Sequence, residues 1–313
     1  MKNFEDIDTK VLTWCPLFKK GEYEMNRKNN LWGFLFISPQ LIGLLAFSLI
    51  PLIYALWLSF TDWDGFGDLN FIGITNYVEQ FYNADFWKAM VNTIYYMIMV
   101  VPIGISISLL LAVALNKVIA KNLYRVFFFM PVVTSSVSVG IIFMWLLNGD
   151  FGILNQMLAK IGIEGPHWLT DPRWVMPSIA LLSIWWGLGY NMVIFLAGLQ
   201  GIPKSYYEAA EIDGANPFQK FKHITLPLLT PTTFFVTIMT IITSFQVFDQ
   251  AFVMTNGGPA KASYTMVFHI YEEAFVYFTM GKSAAAAMIL FVIILTFTLI
   301  QFRLQNRWVH YEQ

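Results

Sequence analysis

Charge is what this sequence has least of. Of 313 residues only 12% are Asp, Glu, Lys or Arg, about half of the roughly 25% in an average soluble domain. Cysteine is nearly absent: Cys15 stands alone, which excludes an internal disulfide and any cysteine-based metal site. The four histidines, His167, His223, His269 and His310, fall in different segments without ligand spacing, so no metal centre is expected. There is no G-x-x-x-x-G-K-[ST] loop to cradle a nucleotide phosphate. A formal net charge of −1 offers nothing to nucleic acid.

Apolar residues dominate instead, at 57% of the chain, with a mean hydropathy of +0.57. Six stretches of twenty or more residues hold no charge: Asn29–Thr61, Ala89–Asn116, Val126–Gly149, Trp174–Pro203, His223–Phe248 and Ser283–Phe302. About 20 apolar residues cross the hydrocarbon core of a bilayer. Open strands could not satisfy their backbone groups there, and the ~10-residue alternation of a barrel is missing. The expected fold is therefore an all-α membrane protein with six transmembrane helices, near 32–60, 90–115, 127–147, 175–199, 226–252 and 284–302. Residues 1–30 form a polar lead-in, with a short interfacial helix or a disordered stretch at Val11–Phe18. It is too long and too mixed in charge for a cleavable signal peptide. Residues 31–303 make one membrane domain and 304–313 a tail.

Basic residues set the orientation. Fourteen lie in the N-terminal segment, the second and fourth connections and the tail; five lie in the first, third and fifth connections. Both termini are thus expected in the cytoplasm. The loops on the other side carry the acids and the aromatics, Trp63, Phe66, Phe71 and Trp87 among them. Leu154–Ile161 is expected to form a short helix in the second of these loops.

The cytoplasmic connection 200–225 is the most informative segment. Ser205 with Glu208 has capping-box spacing just after Pro203, which predicts a helix over Tyr206–Asp213 ending at Gly214. Asn216, Pro217 and Gln219 start a second helix as N-cap, N1 and N3. Tyr206, Tyr207, Ala209, Ala210 and Ile212 give the first helix an apolar character that asks for a packing partner. A helix lying on the membrane surface, with Glu208 only capping it, is the plainer alternative.

The string from Glu208, Ala209 and Ala210 to Gly214, followed after nine residues by Ile224, Leu226 and Pro227, resembles the EAA loop of ABC importer permeases. Leu199-Gln200, Ile202-Pro203 and Met254-Thr255-Asn256-Gly257-Gly258-Pro259 are similar to the carbohydrate-uptake branch, near maltose-type and glycerol-3-phosphate-type permeases. The resemblance runs from about Leu31 onward. The extra N-terminal spans and large outer domain of the maltose-type subunit are missing. It implies a type I importer fold, and a coupling helix whose Glu208 pairs with an arginine in an ATPase cleft. It also implies a pair of ATPase subunits holding ATP and magnesium, a second permease making a heterodimer, and an extracytoplasmic binding protein. This chain itself would bind no cofactor and do no chemistry.

A sugar path needs aromatic faces and neutral hydrogen-bonding groups. Spans four and five offer Trp185, Trp186, Tyr190, Asn191, Thr243, Ser244, Gln246, Asp249 and Gln250, with Trp185, Tyr190, Asn191, Gln246 and Asp249 the leading candidates and membrane packing as their alternative use. An ion-coupled transporter would want charged or broken-helix sites at the midplane, and an intramembrane enzyme a nucleophile–base set. The six spans carry no charge at their centres and no such catalytic set. A phosphate-ester, polyamine or peptide importer is the closer rival.

Overall fold

The computed structural model describes residues 27–116, 118 and 121–309; Cys15 and the segment Val11–Phe18 lie outside them. Helix α1 (Arg27–Leu44) passes through a π-helical turn at Leu45–Leu49 into α2 (Ile50–Leu58). The widened turn sits just ahead of Pro51, whose ring nitrogen cannot donate to the ladder. Phe34, Phe36 and Phe47 stand exposed on this helix, as side chains meant for hydrocarbon do.

Further helices are α3 (Thr75–Tyr82), α4 (Ala84–Asn116), α5 (Lys121–Val133), α6 (Ser136–Leu146), α7 (Ile153–Lys160) and α8 (Val175–Gly201). Then come α9 (Lys204–Ile212), α10 (Pro217–Lys220), a π turn at Phe221–Thr225, α11 (Leu226–Leu228) and α12 (Thr230–Phe245). The chain ends with α13 (Asp249–Thr255), α14 (Met266–Tyr271) and α15 (Met280–Gln305). Among the described residues no β-strand occurs, only an isolated bridge between Thr61 and Phe71.

Among the described residues, four helices are long and apolar enough to cross a membrane unbroken: Trp32–Leu58, Ala84–Asn116, Val175–Gly201 and Met280–Gln305. Two more candidates are bent pairs. Asn122–Val133 and Ser136–Leu146 meet at 95°, and Pro217–Leu228 and Thr230–Phe245 at 64°. The third expected span, 127–147, is thus interrupted at Thr134–Ser135. The fifth, 226–252, stops at Phe245 and resumes as α13 after a three-residue break. Pro131 and Pro231 each remove one ladder donor close to a bend. The short helix expected at Leu154–Ile161 is present as α7, one residue earlier. Helices α3 and α14 were not anticipated.

Small residues decide how the spans meet. Gly104 and Ser108 on α4 are buried, and Ser108 Oγ donates to the Leu188 carbonyl on α8 at 3.3 Å. A Cβ on Gly189 would stand 2.0 Å from the Phe128 carbonyl oxygen, so α5 crosses α8 where only glycine fits. Polar pins attach the 256–265 loop to α4. Asn92 Nδ2 donates to the Lys261 and Tyr264 carbonyls, and Thr93 Oγ1 accepts from the Met266 amide.

Candidate functional site

Two places carry the candidate residues. In the connection after α8, helix α9 begins at Lys204 with Pro203 as its N-cap and no side-chain cap bond. The expected Ser205–Glu208 box does not form. Pro203 opens the helix itself, and Ser205 falls inside the first turn, out of cap position. Glu208 is exposed and has no bonding partner among the described residues. The helix ends in a Schellman motif: Gly214 takes φ +74°, its amide donates to the Glu211 carbonyl at 3.0 Å and the Ala215 amide to Ala210 at 2.8 Å. Asn216 and Gln219 form a complete capping box on α10.

The two short helices are tied together. Lys220 Nζ reaches Glu211 Oε1 at 2.7 Å, and its hydrogen bond and charge hold the Glu211 carboxyl below its ordinary range. Tyr207 hydroxyl bonds Thr225 Oγ1 at 3.0 Å. This leaves Ile212 and Phe218, 88% and 70% exposed, projecting on either side of Gly214. Ala209 and Leu226 are exposed too, while Ala210, Ile224 and Pro227 are half-buried. The result is an apolar, capped knob beside the exposed Glu208 carboxylate.

The second place is a cavity of about 460 Å³ among α4, α8 and α12. Tyr190, Asn191, Gln246 and Asp249 all line it, together with Trp186, Tyr96, Thr243 and Ser244. Trp185 does not. Successive helical residues are 100° apart, and Trp185 falls into a separate apolar groove with Leu123, Tyr124, Phe127, Phe128 and Leu188. Its ring centroid lies 5.4 Å from that of Phe143. Asp249 is the one carboxylate in the lining, and no Lys, Arg or His joins it. Its Oδ2 accepts from Ser136 Oγ at 2.6 Å. Both helix breaks open at this cavity, a place where irregular backbone at membrane depth is tolerated. Asp249, a sequence candidate for the path, thus lines the cavity, and the fifth span, expected to run unbroken over 226–252, is interrupted beside it at 246–248. Trp186 was among the sequence candidates, whereas Ser136, on the third span, was not. The carbonyl freed at Thr134, which Trp186 Nε1 reaches at 3.4 Å, has no signature in an apolar run.

Comparison with known proteins decides what kind of machine holds these parts. Residues 104–310 match the family described as binding-protein-dependent transport system inner membrane component. The chain belongs to this family. It is 40% identical to the probable ABC transporter permease protein YesP of Bacillus subtilis, over 91% of this chain and 94% of that one. It is 36% identical to the arabinooligosaccharides transport system permease protein AraP of the same organism, covering 87% and 88%. To the sn-glycerol-3-phosphate transport system permease protein UgpA of Agrobacterium fabrum it is 34% identical, covering 90% and 97%. Its fold is that of a chain from a bacterial ABC transporter involved in import of the acidic polysaccharide alginate, with a TM-score of 0.78 at 24% identity. That match covers 90% of this chain and 96% of the other.

The chain is therefore an inner membrane permease component of a transport system that works with a binding protein, and its fold is the importer fold the EAA-like loop implied. As a transport subunit it needs no reactive group in the cavity.

Proposed function

We propose that this permease passes carbohydrate, most simply a short oligosaccharide, through the cavity by alternating access, driven by ATP that a partner ATPase hydrolyses. The carrying observation is the lining: aromatic faces at Tyr96, Trp186 and Tyr190, amides at Asn191 and Gln246, and hydroxyls at Thr243 and Ser244. Such groups stack on sugar rings and bond their hydroxyls. No lining side chain offers the cation that a phosphate ester or a free carboxylate would want. The names of AraP and UgpA, for arabinooligosaccharides and glycerol phosphate, support a polyhydroxylated solute.

On this reading both termini are cytoplasmic and Glu208 docks with Ala209, Ala210 and Gly214 into a cleft of one of two ATPase subunits. Ile224, Leu226 and Pro227 carry the motion into α12. A second, related permease completes the path as a heterodimer, and nucleotide and magnesium bind to the ATPases alone. Asp249 supports a second reading, in which a lone carboxylate takes a cationic amine such as a polyamine. Uptake measurements with labelled neutral oligosaccharides, glycerol phosphate and spermidine, using the assembled transporter with its binding protein, separate the two. Transport of the neutral sugar alone supports the proposal; transport of spermidine alone overturns it.

A further inference from the structure

We infer that Asp249 and Ser136 are positioning residues for transport, which yoke α6 to α13 so that the far halves of two interrupted spans move as one body beside the cavity. The inference rests on the permease reading but not on the identity of the solute. Span three turns through 95° between Val133 and Ser136, and span five stops at Phe245 before restarting at Asp249. Breaks of this kind are where membrane helices can hinge, because the ladder is already open there.

Beyond the breaks the two segments are matched to each other. A Cβ on Gly140 would lie 3.0 Å from Val253 Cγ1, so α6 and α13 approach closely enough that a larger residue there would push Val253 aside by a few tenths of an ångström. Val139, Ala251 and Met254 are buried in one core cluster across this contact. At the hinge end the two helices are joined by the Ser136 Oγ to Asp249 Oδ2 bond of 2.6 Å. The carboxylate also sits favourably at the N-terminal end of α6, where unpaired amides carry partial positive charge.

Short of the hinges, the chain is held by other elements. The freed Thr134 carbonyl accepts from Trp186 Nε1 on α8. Val247 in the second break presents its carbonyl to Thr265 Oγ1 at 2.9 Å. The geometry thus has fixed hinges on one side and a tightly packed pair on the other. A packed pair of this kind shifts between discrete arrangements, not by gradual deformation. Asp249 lines the cavity because the yoke does, and its charge is already committed to Ser136.

The test is hydrogen–deuterium exchange of the complete transporter in lipid nanodiscs, read separately over 136–146 and 249–255. Ser136→Ala and Asp249→Ala are each expected to raise exchange of both segments together by about tenfold, the scale of one lost charge-assisted hydrogen bond. The double variant should add nothing further. Ser136→Thr keeps the donor and Asp249→Asn an acceptor, and both should stay within about threefold of the parent, which separates loss of the yoke from misfolding. In uptake assays Ser136→Ala should lower the maximal rate at constant KM. Exchange that rises in one segment only, or additive effects of the two variants, overturns the inference. So does a silent Ser136→Ala beside an Asp249→Ala that raises KM alone, which would make Asp249 a ligand contact. Because exchange is read without any solute, a failure of the sugar assignment leaves this test intact.

Discussion

Tyr207 and Thr225 share a hydrogen bond of 3.0 Å that holds α9 against the π turn leading into α12. With the 2.7 Å Lys220–Glu211 pair, it makes the loop between the fourth and fifth spans a braced unit. Under the proposed coupling, this bracing carries a push on α9 to the helix that lines the cavity.

Glu208 takes no part in that bracing, since it neither caps α9 nor pairs within the described chain. Glu208→Ala is therefore expected to leave thermal unfolding of the permease within about 0.5 kcal/mol of the parent, as surface substitutions do. Co-purification of the ATPase should nevertheless weaken. A variant that lost stability with the ATPase fully bound would assign Glu208 a structural role instead.

Gly214 is different. Its φ of +74° is one that a β-branched residue adopts only at a cost. Gly214→Val should destabilise the Schellman turn by about 1–2 kcal/mol, and Gly214→Asn by less, because Asn tolerates that region. Uptake by the three proteins should fall in the order Gly, Asn, Val; equal uptake by all three would show that the turn geometry is dispensable.

Gly189→Ala places a methyl group against the Phe128 carbonyl, a backbone atom that cannot swing aside. Overpacking of this kind costs about 1–3 kcal/mol. The solubilised protein should melt several degrees lower, whereas Gly187→Ala, where the space is open, should melt close to the parent. Equal melting temperatures would contradict the tight crossing of α5 and α8.

His269 lies outside the spans, buried with Nε2 at 2.8 Å from Gln80 Oε1 and Nδ1 at 3.1 Å from the Tyr264 hydroxyl. The neutral ring satisfies both partners by donating from Nε2 and accepting at Nδ1. Burial pushes its pKa down, outweighing the opposing pull of Glu273, Asp85 and Glu272; Lys261 adds to the lowering. A depressed folded pKa means that the unfolded chain binds the proton first. The stabilisation is therefore full above the unfolded value, about 6.5, and is lost as pH falls from there through the folded pKa. Melting temperature should drop between pH 7.5 and 5.5 in the parent and drop less in His269→Gln. An unchanged pH dependence in the variant would place the proton elsewhere.

Much of this was legible in the sequence because water and lipid sort residues coarsely. The charge-free runs located the four unbroken candidate spans and both bent pairs among the described residues, and turn chemistry located the knob: Gly214, Asn216, Pro217 and Gln219 act as their residue types prescribe. The register of the spans was not legible. A helix apolar all round has no polar face to orient it, so Trp185 and Trp186 could not be told apart, although only Trp186 lines the cavity. The breaks at 134–135 and 246–248 were hidden for the same reason, since neither carries a charge. The Ser205 cap failed because Pro203, two residues ahead, had already opened the helix.

The central claim is that a carbohydrate crosses through this subunit only when ATP hydrolysis reaches it through the Glu208 helix. The direct measurement is uptake of labelled neutral oligosaccharide into proteoliposomes holding the full transporter and its binding protein, with ATP on the ATPase side, for the parent and for Glu208→Ala with Gly214→Val. The account predicts ATP-dependent uptake by the parent and at least about a tenfold loss in the double variant, on the scale of about 1.4 kcal/mol of coupling. Undiminished uptake in the variant, or parental uptake driven by an ion gradient without ATP, would contradict it.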